Sequence, residues 1–305
     1  MKDIFLDKIK LTFVMLIWGS IGIFTRFIDL NPMVIAFLRA VCAIPVLGAY
    51  IAIKKISLSI PIARIWPYVA SGVLLGFGWA GLLYGYKNTD TSFAVIVYNM
   101  CPIYVAMAAP LILKERLSAL QAAIILICFG GLYLVVGVRP LEGTELWGML
   151  LAGGSGLIYA AIVILNRKIT YKLNGTVSAM IQITVAALIL LPFAVSGGGL
   201  AQIANLDTRG ITMAVILGTV HTGVAYSIYF SVYKRLKSID IVSYSYLEPV
   251  FCIILGIAFL GERLTPAQWA GGALILGATY IGEYVKYKRG QAVAKSKALA
   301  EEPAE

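Results

Sequence analysis

In the segment SYLEPVFCII (245–254), Glu248 and Pro249 stand side by side within an apolar run from Ile241 to Leu260. A carboxylate in an apolar medium is costly unless it is partnered. The proline removes a helix hydrogen bond and frees the carbonyl four residues back, on Ser245, which invites a kink. Acids at such depth mark proton or substrate paths, and a carboxyl that can hold or release a proton suits either task. A packing anchor is the plainer alternative. Arg39 is the one basic residue inside an apolar run. Uncompensated, it costs at least about 2.5–3.5 kcal/mol, so a carboxylate or an anionic substrate group is called for. An Arg39–Glu248 ion pair is the economical expectation. Helix rise places Glu248 about 10 Å from one membrane face and Arg39 about 12 Å from the other, which leaves depths differing by roughly 8 Å. Snorkelling of Arg39 to the headgroups is the competing expectation.

Polar and aromatic residues recur at comparable depth: Trp18, Trp79, Tyr98, Asn99, His221, Tyr226, Ser243, Tyr244 and Tyr246. Tyrosine and tryptophan join apolar bulk to one hydrogen-bond donor, which suits a cavity holding a planar or amphipathic organic molecule. Core packing or lipid contact would use the same residues, and a satisfied core histidine is the default for His221. The run GGSG (153–156) raises a different chemistry, a Ser155–His221 dyad of an intramembrane serine protease. A four-residue pattern among 30 glycines is weak support for it, because helix contacts require small residues anyway. Cys42, Cys101, Cys128 and Cys252 lie in apolar runs without metal spacing, and a single histidine excludes a multi-histidine metal site. No cofactor is implied.

The elements that position these groups follow from composition. Of 305 residues, 60% are hydrophobic and 13% charged, and the mean hydropathy is +0.88. That is too little polar surface for a globule in water, where about a quarter of residues are charged. Spans of about 20 apolar residues are predicted near 10–28, 32–53, 66–86, 91–113, 118–138, 146–165, 175–195, 210–233, 241–260 and 266–285. The first is kept as a span rather than a signal peptide, since it lacks a convincing small-residue cleavage site. With the N-terminus inside, 19 of the 25 lysines and arginines fall in inner segments, 5 at the outer span ends or in outer connectors, and only Arg39 deep in a span. This bias predicts a multi-pass protein of the plasma (inner) membrane with both termini cytoplasmic. The net charge of +10 is then topology and lipid contact, with no nucleic acid required.

The chain also repeats itself. A shift of 147 residues aligns Pro102 with Pro249 and Glu115-Arg116-Leu117 with Glu262-Arg263-Leu264. It also pairs Gln121 with Gln268, Gly130 with Gly277 and Tyr133 with Tyr280. Earlier in each half, Leu30-Asn31 matches Leu173-Asn174, and Arg39 falls opposite Gln182. Each half holds five spans, an odd number, so the second half must insert inverted. The helix break at Pro102 recurs at Pro249, but Cys101 stands where the second half has Glu248.

The run YLEPVFCIILGIAFLGERLTPAQWAGGALILGA resembles the ninth and tenth spans of EamA-type transporters of the drug/metabolite transporter superfamily. HTGVAYSIYF (221–230) is similar to their eighth span and WGSIGIFTRF (18–27) to their first, so that the likeness covers about residues 10 to 285. It implies an all-α integral membrane protein of ten helices in two inverted five-helix repeats around a central cavity. The repeats would occupy residues 1–140 and 141–285, with a loosely ordered cytoplasmic tail at 286–305.

The function expected is a secondary transporter, not an enzyme, that moves small organic metabolites such as amino acids by alternating access. Export is the expected direction, protons are the candidate coupling ion, and the protein would work as a monomer or weak dimer in the lipid bilayer. Glu248, Arg39, His221, Tyr98, Asn99, Trp18, Trp79, Tyr226, Tyr244 and Tyr246 are the candidate binding or coupling residues, and Pro102 and Pro249 the helix breaks. A passive solute channel or a lipid flippase is the alternative, with the serine protease a distant third.

Overall fold

The computed structural model describes residues 2–58, 65–112, 119–136, 143–168, 173–233, 244 and 247–301. All regular structure among them is helical, in fourteen α-helices, one π turn and a short 3₁₀ turn. The N-terminal helices are α1 (Lys2–Gly19), α2 (Ile21–Arg26), α3 (Pro32–Ile53), α4 (Trp66–Asn88), α5 (Thr91–Tyr98), α6 (Cys101–Ile112) and α7 (Ala119–Val136). They are followed by α8 (Gly143–Lys168), α9 (Gly175–Val195), α10 (Gly199–Ala204) and α11 (Thr208–Gly218). A π turn over Thr219–Val224 leads into α12 (Ala225–Tyr233), then α13 (Leu247–Leu260) and α14 (Pro266–Glu301).

Among the described residues, six helical segments are long and apolar enough to cross a bilayer: Phe5–Arg26, Pro32–Ile53, Trp66–Asn88, Gly143–Leu165, Gly175–Val195 and Thr208–Val232. Shorter apolar helices cover Thr91–Val105, Ala122–Leu134 and Leu247–Leu260. Helices α3 and α9 match their predicted ranges because both carry clear start signals. The Asn31 side chain accepts from Met33 N at 2.9 Å ahead of Pro32, and the Asn174 side chain accepts from Thr176 N at 3.0 Å.

Three predicted spans are interrupted. The first breaks at Ser20 between α1 and α2, and the fourth breaks at Asn99–Met100, just before Pro102. The eighth carries the π turn. The tail also departs from expectation, since α14 continues to Glu301. Its sequence QAVAKSKALAE is rich in strong helix formers, which accounts for the continuation.

Helix α4 packs on α8 and α9, and α3 packs on α9, α11 and the π turn. Helix α1 packs on α12 and α13, α5 and α6 pack on α8, and α7 packs on α14. Glycines set these approaches. A Cβ on Gly72 would lie 2.7 Å from the Gln182 carbonyl of α9, and one on Gly81 would lie 2.5 Å from Ser155 Oγ of α8. Two glycine-based faces of α4 thus serve two neighbours. The main core, with Ile35, Leu47, Leu83, Ile183 and Leu190 fully or almost fully buried, fills the space among α3, α4 and α9.

Candidate functional site

The break after Gly19 and the π turn face one another. The Trp18 indole donates to the His221 carbonyl at 3.0 Å, and Ser20 Oγ and His221 Nε2 share a hydrogen bond of 2.9 Å. His221 Nδ1 stands 3.3 Å from the Ile216 carbonyl, while the Ser20 hydroxyl also donates to the Ile17 carbonyl at 2.8 Å. Phe24 meets the imidazole edge at 4.5 Å. The next residue, Thr222, donates to the Leu217 carbonyl at 3.1 Å and accepts from Arg39 Nε at 2.7 Å. Both side chains reach a carbonyl five residues back, the spacing a π turn provides. Gly218 and Gly223 allow the turn to lie against α3. A Cβ on Gly223 would stand 2.6 Å from Val46 Cβ, and one on Gly218 would meet Cys42 and the Arg39 carbonyl.

Arg39 is 5% exposed and lies 4.1 Å from the Trp79 ring centroid, a cation–π stack. Its Nε bond and this stack replace the expected direct pair with Glu248: no ion pair joins the two among the described residues. A guanidinium placed over the ring of one helix neighbour and bonded to another is compensated where it stands, without reaching for the carboxylate. The two still interact electrostatically across a gap.

Neither terminal nitrogen of Arg39 has a hydrogen-bond partner among the described residues. Neither is sealed from solvent either, since Ser71 Oγ is the sole sealed, unpartnered polar side-chain atom among those residues. The same holds for the half-buried Glu248 carboxylate and for the phenols of Tyr86, Tyr98 and Tyr226. These three tyrosines and Tyr159 lie within electrostatic range of Glu248. Tyr159 is 44% exposed yet stands 6.0 Å, centroid to centroid, from Tyr98. These groups therefore lie together in one interior region of the helix bundle, with polar atoms that the described residues do not pair.

Trp18 and Trp79 join this cluster, at 5.4 and 6.5 Å from the Tyr226 ring. Asn99 marks the α5–α6 break and donates to the Val95 carbonyl at 2.8 Å. Tyr244 packs instead with Leu11, Val14 and Val232 between α1 and α12. Tyr246, Ser243 and Ser245 lie outside the described residues. The Tyr98 carbonyl, four residues before Pro102, lies against Gly156, where a Cβ would stand 2.5 Å away. Pro249 is buried in the first turn of α13, and a Cβ on Gly19 would stand 2.9 Å from the neighbouring Glu248 carbonyl. Ser155 donates to the Leu151 carbonyl at 2.7 Å and His221 is bonded to Ser20, so the two make no dyad.

Sequence reasoning passed over Tyr86, Tyr159 and Thr222. It also gave no role to Glu262, which is 8% exposed. Its Oε1 accepts from Thr91 N (2.6 Å) and Oγ1 (2.7 Å), and its Oε2 from Ser92 N (3.0 Å) and Oγ (2.5 Å). The carboxylate thereby caps the start of α5 from another part of the chain. Nearby, an Arg26 Nη donates to the Thr89 carbonyl. At the opposite end of the helices, a cavity of about 540 Å³ is lined by Lys10, Tyr50, Lys54, Asn174, Phe230 and Ser231, among others.

A profile described as the EamA-like transporter family matches residues 9–137 and again 146–282. An uncharacterized transporter of Bacillus subtilis, YxxF, is 28% identical over 272 residues, covering 88% of this chain and 86% of its own length. A protein of Escherichia coli K12 named as a probable amino-acid metabolite efflux pump is 24% identical over 291 residues, covering 91% and 95%. One solved crystal structure superposes with a TM-score of 0.61 at 18% identity, over 94% of this chain and 99% of the other. That similarity bears on the fold alone.

Proposed function

The chain belongs to the EamA-like transporter family, and from that premise we propose that it is a secondary carrier exporting small organic metabolites, amino acids among them, by alternating access. The observation that carries this reading is the interior cluster of Arg39, Glu248 and four tyrosines, in which the two charged groups form no ion pair among the described residues. A guanidinium and a carboxylate that share one interior region without pairing directly are arranged for a solute.

The architecture proposed for it is ten spans in two inverted halves, residues 1–140 and 141–285. Exchanging α1–α2 with α8, α3 with α9, α4 with α11–α12, α5–α6 with α13 and α7 with α14 maps the principal interhelical contacts onto one another. Cys128 Sγ even contacts the carbonyl of its own repeat counterpart, Ile275, at 3.8 Å, which supports a pseudo-twofold axis between α7 and α14. Rocking of such halves would open the central space to either face.

With the N-terminus cytoplasmic, the 540 Å³ cavity is the inner mouth and the Glu262 cap lies on the outer side. The conformation described is then inward-facing. Phe230 lines the mouth, and its ring stands 6.0 Å from Tyr226, so an aromatic wall leads from the mouth toward Arg39. Glu248 is the proposed switchable charge: if a proton and a substrate group compete for it, export is coupled to proton entry.

Purified protein in proteoliposomes tests the reading. Saturable uptake with counterflow of a preloaded solute is the expected result, weakened at least tenfold in Glu248→Gln. Conductance without exchange would make the protein a channel, and lipid scrambling without solute counterflow would make it a flippase.

A further inference from the structure

Taking the carrier reading as its basis, we infer that the free edge of Arg39 is a carboxylate site, that Thr222 is its positioning residue, and that the substrates are monocarboxylates with an apolar or aromatic body. A guanidinium offers two forked edges to an oxyanion. The Thr222 hydroxyl occupies Nε at 2.7 Å, which removes the edge that includes Nε. One ring face is covered by Trp79 at 4.1 Å. What remains is the end-on pair of Nη1 and Nη2, on a side chain 5% exposed, with both atoms unpartnered and unsealed. Two parallel N–H donors fit one carboxylate in bidentate fashion.

Thr222 is itself fixed, because its hydroxyl hydrogen is committed to the Leu217 carbonyl at 3.1 Å and leaves only a lone pair for Arg39. The hydroxyl therefore sets the rotation of the guanidinium rather than following it. Within the same cluster, Glu248 in its ionised form repels a second anionic group, which disfavours dicarboxylates, while Tyr86, Tyr98, Tyr159, Tyr226 and Trp79 supply faces for a ring or chain.

The test uses the full-length protein in nanodiscs with phenylglyoxal, a guanidine-specific reagent, and mass spectrometry of the Arg39 peptide. Modification of Arg39 should occur, and 3-phenylpropionate should slow it several-fold while phenylethylamine and succinate do not. No modification of Arg39 would overturn the open edge. Modification slowed equally by the amine, or by none of the three probes, would overturn the carboxylate assignment. For the positioning role, Thr222→Val should raise the 3-phenylpropionate concentration giving half-protection about tenfold, and Thr222→Ser should restore it. Equal values in all three proteins would remove Thr222 from the site. Counterflow of solutes lacking a carboxylate would keep the carrier and discard the substrate class, whereas absence of counterflow with any solute would discard the carrier.

Discussion

At the scale of single residues, charge alone was a partial guide. The sequence marks Arg39 and Glu248 as the two groups that apolar surroundings make costly, and both lie in the interior cluster. Their direct pairing was the simplest inference from a list of charges, and it failed because a hydroxyl and an indole satisfy Arg39 locally. Tyr86 was passed over because a tyrosine near a span end reads as an interfacial anchor, and Thr222 because threonine carries no burial penalty that draws the eye. Lysine at position 39 keeps the charge but loses the fork and the stack on Trp79. Arg39→Lys should therefore weaken solute binding by about one to two orders of magnitude while shifting the melting temperature by only a few degrees, as read by thermal unfolding with and without ligand. Glu248 makes no hydrogen bond among the described residues, so Glu248→Gln should leave the melting temperature close to wild type.

At the scale of elements, hydropathy located the six long apolar helices among the described residues and missed the breaks inside the predicted spans. Ranges such as Pro32–Ile53 and Gly175–Val195 were legible because asparagine caps and a proline start them. The breaks at Ser20 and at the π turn leave no trace in mean hydropathy, since they alter hydrogen-bond register and not composition. Only the Asn99–Met100 break had a flag, in Pro102. Glycine contacts make the close approaches testable. Gly218→Ala drives a methyl into Cys42 and the Arg39 carbonyl, at a cost of about 1–3 kcal/mol. Gly130→Ala, with nothing within 4 Å of the added carbon, should be stabilising by up to about 1 kcal/mol through helix propensity. Denaturant titration of the two variants should give opposite signs.

At the scale of the whole molecule, the two ends differ. One end holds the cavity with Lys10 and Lys54; at the other, Glu262 accepts four hydrogen bonds from Thr91 and Ser92. The internal duplication was legible as matched motifs, but which end the proposed inward-facing state would close was not, because the same motif stands at both. Replacing Glu262 by glutamine turns one acceptor into a donor facing the N–H and O–H groups of a single residue. The expected outcome is a population shifted away from the inward-facing state. A cysteine placed at Ser231, in the cavity wall, should then react more slowly with a hydrophilic maleimide in the Glu262→Gln background. An unchanged rate would show that the cap is not part of the gating equilibrium.

The π turn also has a meaning in angular phase. Its wide register stores one residue beyond what an α-helix of the same rise would hold, and each α-helical residue turns the chain by about 100°. Deleting Gly223 would let the turn relax to α geometry and rotate everything after it, Tyr226 and Phe230 included, by roughly that angle relative to His221 and Thr222. One missing residue would swing the aromatic wall off the guanidinium while every side chain but Gly223 survived. The site is thus as much a setting of helix phase as an inventory of residues.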